Sequence, residues 1–177
     1  MLKPVEPSSS KAVERDVFIS AMRHVAATVT VVTTNGPAGK HGATVSAFTS
    51  VSADPPTVMV CLCSDSRIAQ AVAKNGCFAV CVLPCDGVET ALRFAGSDDL
   101  QVADRFEQVA HSDWAAPHIE DCTSFSCDVD QAVQSGSHIA FFGRVTWAGT
   151  NAAPPLVYFD GKFGAFNQGN RQGQADE

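Results

Sequence analysis

The sequence predicts a β-barrel with flanking helices, built as a single domain, and three observations predict it. At 177 residues the chain is about one domain long and can bury a core without disulfides or a structural metal. Its composition, 45% hydrophobic and 18% charged, is that of a folded globule rather than a disordered chain. Its apolar runs are short and β-rich, and they alternate with short helices without the long regular βα repeat of a doubly wound sheet.

In chain order, residues 1–11 carry three consecutive serines and two prolines and read as a loose arm. Residues 12–167 then form the folded domain, and 168–177 form a polar tail. Val13, Val17, Ala21, Met22 and Val25 recur at helical spacing, which predicts a first helix whose apolar stripe packs on a core while Glu14, Arg15 and Arg23 face water. TVTVVTT (residues 28–34) is β-branched enough to be a strand, and NGPAGKHG breaks it into a loop carrying Lys40 and His41. ATVSAFTSVSA and TVMVCLC read as two strands joined across Asp54-Pro55-Pro56. SRIAQAVAKNG is a short helix closed by Gly76, and CFAVCVL is the next strand. Asp86 with Glu89 predicts a capping box opening a helix through VETALRFAG, followed by a second short helix ending near Phe106. TSFSCDVDQAVQ and SHIAFFGRVTWAG are long strands, and PPLVYFDGKFGAF supplies a last one. The six acids from Glu107 to Asp130, with no Lys or Arg among them, form a solvated face.

Charge and cysteine usage exclude several function classes. A net charge of −7 argues against a phosphate-backbone binder and a polybasic membrane contact, so neither nucleic acid nor membrane is an expected partner. No run of eighteen apolar residues exists and the N-terminus lacks a secretory apolar stretch, which predicts a cytoplasmic protein. The seven cysteines lack the C-x2-C spacing of a zinc knuckle and mostly sit in apolar runs, so they read as buried reduced thiols and no metal is expected. A catalytic Cys/His pair stays open, although with five histidines and seven cysteines chance neighbours are expected.

The chemistry concentrates between Gly42 and Arg67. On one continuous strand Thr44, Ser46, Ser50 and Ser52 would share a face, and Val45, Ala47 and Val51 the other. That hydroxyl face is either an ordinary solvated surface or, since no charged residue lies between Gly42 and Ala53, a platform for a flat neutral ligand. Ser64, Ser66 and Arg67 fall where a strand gives way to a helix, a junction that suits either a phosphate or a plain serine cap beside an exposed arginine. Neither G-x-G-x-x-G after a strand nor G-x4-G-K-[ST] is present.

GATVSAFTSVSADPPTVMVCLCSDSR, RFAG followed by DRF, GSHIAFFGRV and PLVYF together resemble the flavin reductase family, built on the FMN-binding split barrel. The likeness runs from about Phe18 to Phe166. Its best-known members feed reduced flavin to two-component aromatic monooxygenases. The resemblance implies an isoalloxazine edge along Thr44, Val45, Ser46 and Ala47, a ribityl chain over Cys61, Leu62, Cys63 and Ser64, and a phosphate at Ser66 and Arg67. It further implies a flanking turn of Phe94, Ala95, Gly96 and Ser97, and a catalytic His138 near the nicotinamide. The family's G-D-H motif reads Gly136-Ser137-His138 here, and the segment after PLVYF, often basic in relatives, brings Asp160 and a cofactor-side Phe163. The implied protein is a cytoplasmic homodimer that uses NADH or NADPH to reduce FAD or FMN, with no metal, and serves an oxygenase through diffusible flavin. Two rivals remain: a non-catalytic flavin- or haem-binding split barrel, and a reductase that keeps its flavin and reduces another acceptor such as a ferric chelate.

Overall fold

The computed structural model describes residues 11–166 apart from 98, 101 and 103. All of the expected arm except Lys11, and the whole polar tail, lie outside the described residues. The elements follow as α1 (Arg15–Arg23), β1 (Ala27–Thr28), β2 (Thr30–Thr34), β3 (His41–Val45), β4 (Phe48–Ala53), β5 (Pro56–Cys63), α2 (Arg67–Asn75), β6 (Cys77–Val82), α3 (Val88–Ala95), β7 (Thr123–Ser135), β8 (His138–Gly149), β9 (Leu156–Phe159) and β10 (Lys162–Ala165). The strands make a seven-stranded sheet in the order β3-β2-β6-β7-β8-β5-β4 and a three-stranded sheet in the order β1-β9-β10, with every pairing antiparallel.

Consecutive strands β3 and β4 occupy opposite edges of the large sheet, yet only Ser46 and Ala47 separate them. A flat seven-stranded sheet would hold its edges about 29 Å apart at ~4.8 Å per strand, and the three peptide steps from Val45 to Phe48 reach at most about 11 Å. The sheet is therefore curled until its edges meet. A backbone bond from Cys61 N–H to the Ala47 carbonyl (3.0 Å) pins the link, but among the described residues no hydrogen-bonded ladder closes β3 onto β4. The expected barrel is thus a curled, mostly antiparallel sheet whose edges are joined by the chain itself.

The β-branched run of β2 is buried on both faces because two cores flank it. Inside the curl, Val32, Phe78 and Val80 meet Val60, Leu62 and Phe141 from the far strands, and Ile68, Ala69 and Val72 of α2 join them. On the outer side, Val31, Cys81 and Leu83 pack with Ala91 and Phe94 of α3, Phe106 and Leu156.

Several local expectations change. The strand expected over 28–34 divides at Val29, which donates its N–H to Leu156 of β9 while its carbonyl accepts from Leu83, so the chain passes from one sheet to the other. The final segment is a hairpin of β9 and β10 rather than one strand, because Asp160 and Gly161 turn with positive φ. Asp86 does not cap α3: the helix starts one residue later, with Gly87 at the N-cap and no side-chain cap bond. Near Phe106, residues 105–108 form a turn where a helix was expected. The hydroxyl face is not continuous, since the strand breaks at Ser46 and Ala47 and its halves lie on opposite edges. The stripe on α1 meets no core among the described residues; Val13, Val17, Met22 and Val25 are exposed, and α1 buries no residue. An Arg23–Asp160 ion pair (3.3 Å) and a bond from Asp160 N–H to the Arg23 carbonyl (2.8 Å) fasten its C-terminal end to the β9–β10 turn.

Candidate functional site

The turn after β5 leads directly into α2, whose Ser66 side chain accepts from Ala69 N–H (3.3 Å) and donates to the Cys63 carbonyl (2.6 Å). Gly76, at φ 71°, ends the same helix in the left-handed region. Apolar residues at Ile68, Ala69, Ala71 and Val72 bury one side of α2, which fixes where its N-terminus points. First-turn N–H groups lack helical acceptors, and the helix dipole favours an anion there. The end of α2 opens on a cleft of about 630 Å³, walled by Lys40–Ala43 at the start of β3 and by Asp99, Asp104, Arg105 and Phe106. That volume lies in the usual range for small-molecule sites.

Charge in this cleft is mostly paired. Lys40 Nζ lies 3.5 Å from Asp104 and 4.6 Å from the centre of the Phe106 ring. It also reaches His111 Nε2 at 3.4 Å; since His111 Nδ1 contacts the Val109 carbonyl (2.6 Å), which can only accept, Nδ1 carries the proton and Nε2 accepts from Lys40. Arg105 grips Asp99 through Nε (2.8 Å) and Nη2 (2.6 Å), and that hydrogen bonding holds the Asp99 carboxyl below its ordinary range. Arg67, exposed at the mouth of the cleft, has no ion pair among the described residues. Its charge nonetheless acts on Asp99 across the cleft and helps hold that carboxyl low.

Beyond the cleft the walls become neutral and open. Ser64 donates both its N–H (2.9 Å) and its hydroxyl (3.1 Å) to the Ser137 carbonyl, which brings the β7–β8 hairpin against the start of α2. In the β5–β8 register Cys63 stands opposite His138, whose Nδ1 contacts the Ser137 hydroxyl at 3.0 Å. Ser46, Ala47, Cys63 and His138 are all exposed.

The structure thus gathers Ser46, Ala47, Cys61, Cys63, Ser64, Ser66, Arg67 and His138 around one end of the curled sheet. The others serve differently. Thr44 spends its hydroxyl on the Ala91 carbonyl of α3 (2.6 Å), Val45 packs on the inner core, and Leu62 is buried there. Phe94 is fully buried against Phe106 (ring centroids 4.9 Å apart), leaving Ala95, Gly96 and Ser97 as the turn beside the cleft. Phe163 belongs to the smaller sheet, stacked edge-on with Tyr158 at 5.5 Å and packed on the outer core, so it does not join the gathered group. Sequence reasoning missed Lys40, Asp99 and Arg105 as walls of the site. Lys40 and the DRF motif were visible, but nothing local in the sequence places them beside Ser66.

All seven cysteines are free. Burial pushes the Cys122 and Cys127 thiols up to about 12 and raises Cys77 and Cys81, so these thiols stay protonated and unreactive. Cys63 departs from the expected burial by being exposed. Among the described residues no group of three or more His, Cys, Asp or Glu could hold a metal ion.

The structure thus sets a helix N-terminus, beside an arginine with no ion pair among the described residues, close to an uncharged exposed edge at Ser46 and Ala47. The chain belongs to the flavin reductase-like domain family, whose model matches residues 22–167. It is 37% identical over 155 residues to a flavin reductase (NADH) of Kitasatospora aureofaciens, covering 83% of this chain and 79% of that one. It is 33% identical over 169 residues to the FMN reductase (NADH) RutF of Acinetobacter baylyi, covering 90% and 86%. Its fold matches the styrene monooxygenase flavin reductase of Pseudomonas putida with a TM-score of 0.75 at 28% identity, over 86% of this chain and 99% of that one.

Proposed function

We propose that residues 12–167 form a split-barrel enzyme that takes hydride from NADH or NADPH, reduces FAD or FMN, and releases the reduced flavin to a partner monooxygenase in aromatic breakdown. The observation that supports this reading is the arrangement around the start of α2: Ser66 and Arg67 line a cleft with the start of β3, and the β5–α2 segment that leads into them is tied to Ala47 through Cys61 and to the β7–β8 hairpin through Ser64. NADH-named relatives favour NADH as the donor.

The residues present fit a flavin. Ser66, Arg67 and the first N–H groups of α2 would hold its phosphate, and the Ser46–Ala47 amides would face the pyrimidine edge. When bound, flavin supplies N5 as the acceptor of the nicotinamide C4 hydride. The protein's part is alignment and electrostatics. The Cys61–Ala47 bond keeps the Ser46–Ala47 link from moving, so its N–H groups can stabilise charge without reorganising. Ser137 steadies the His138 ring beside the open half, where the nicotinamide would arrive. No side chain need act as a nucleophile.

A homodimer completes this reading. Val17, Phe18 and Met22 of α1, with Val25 just beyond it, form an exposed apolar face without a partner among the described residues, and a twofold copy would cover it. Light scattering should give twice the chain mass; an active monomer would remove this element. The activity itself is tested anaerobically: catalytic amounts of protein with NADH and excess FAD should bleach the flavin. No bleaching with either NADH or NADPH, and with either FAD or FMN, would refute it.

A further inference from the structure

We infer, on the reading that flavin occupies the cleft, that Arg105 is a positioning residue: its guanidinium clamps β3, the end of α3 and the Asp99 turn into one wall and does not itself bind the flavin phosphate. Four hydrogen bonds make the clamp. Nη1 donates to the Phe94 carbonyl (2.7 Å) and the Gly42 carbonyl (3.3 Å), while Nε and Nη2 grip the two Asp99 oxygens at 2.8 and 2.6 Å. These partners lie on β3 and, about fifty residues later, on the end of α3 and the turn just after it, and each borders the cleft or the turn beside it.

Space around the clamp is already taken. Gly96 sits at φ 94°, and a methyl group there would come within 2.6 Å of Arg105 Nη2 and 3.0 Å of Asp99 Oδ2. A methyl group at Gly42 would sit 2.5 Å from Phe94, so the wall has no slack behind the guanidinium. The charge is spent as well: Asp99 neutralises Arg105 through two bonds, whereas Arg67 has no ion pair among the described residues. Arg105 also keeps the Asp99 carboxylate, itself part of the cleft wall, from repelling an incoming anion. Lysine could keep the charge but not the planar fork that reaches two carbonyls and a carboxylate together.

Two variants, Arg105→Lys and Asp99→Asn, separate positioning from direct binding. Positioning predicts that both raise KM for flavin and the Kd of oxidised flavin measured without NADH, by about tenfold for Arg105→Lys and several-fold for Asp99→Asn. In both, kcat should stay within about twofold of the parent and KM for NADH should not move. Asp99 is exposed and asparagine has its shape, so that variant folds. Tighter flavin binding by Asp99→Asn would mean that the released Arg105 is a phosphate ligand and would overturn the inference. Lower melting temperatures with unchanged flavin Kd would overturn it too, as a strut of the fold alone. The parent protein in the same titration reports separately on the flavin reading: if it binds no flavin, that reading fails whatever the variants do.

Discussion

Around Gly42 the candidate site is packed from behind by Phe94 and Phe106 and braced by Arg105 and Lys40, whereas around Ser46, Ala47, Cys63 and His138 the same curled sheet ends in exposed groups. In the first half nearly every polar group has its partner before any ligand arrives. In the second, the one fixed feature is the backbone link at Ala47. The contrast teaches where preorganisation is needed. A phosphate end must be met by aligned charges, since rearranging them would cost affinity. On the proposed function the ring end must stay open, because a second molecule would have to reach the flavin face.

The packed half should be the more fragile. In Gly42→Val the new side chain meets two buried rings, so we expect about 2–3 kcal/mol lower stability by urea denaturation together with weakened flavin binding. An unchanged denaturation midpoint would show that the packing has slack. The open half should respond in binding alone: Ser46→Val should weaken flavin affinity by on the order of 1–3 kcal/mol with an unaltered midpoint. A flavin titration matching the parent would make Ser46 an ordinary surface residue. A smaller, purely kinetic effect is expected from His138→Ala, with KM for NADH raised several-fold or flavin reduction slowed while oxidised-flavin affinity holds. Equal loss of both affinities would move His138 to a structural role.

The least effect on the site should come from His118, which marks a third environment. It is buried against Trp114 and Trp147 (ring centroids 4.7 and 4.8 Å away), which also touch each other at 5.0 Å, is bonded to the Ser126 hydroxyl at 2.7 Å, and burial lowers its pKa. The folded state therefore binds fewer protons than the unfolded chain once pH falls below about 6.5, and stability declines from there down to the depressed folded value. Melting temperature should drop over that window in the parent and less in His118→Gln, with flavin affinity showing no His118-dependent change. A pH slope of the same size in both proteins would assign the loss to other groups.

How much of this was legible in the sequence follows the range of the interactions. α2 was readable because its signals are local: Ser66 before the helix, Gly76 after it and apolar residues at helical spacing between. The same periodicity in α1 predicted a buried stripe and failed, since spacing reports a face and not what covers it. The Gly42–Ala53 run was recognised as the place of the chemistry, but its break was not, because nothing in an alternating strand announces that its halves belong to opposite edges of a sheet. In the sequence Arg105 is visible only as part of the DRF motif; its clamp depends on β3 and α3 meeting, which is a property of the topology.

On the proposed function flavin comes and goes as a substrate of this site. With one unspent arginine and an otherwise neutral edge, binding should be micromolar, about −8 kcal/mol, and release should keep pace with turnover. The direct measurement is the NADH oxidation rate as a function of added FAD or FMN, on protein first passed through gel filtration. The protein should be colourless, with a rate that starts near zero and saturates with added flavin. Yellow protein with one flavin per chain surviving dialysis, and a rate indifferent to added flavin, would contradict it.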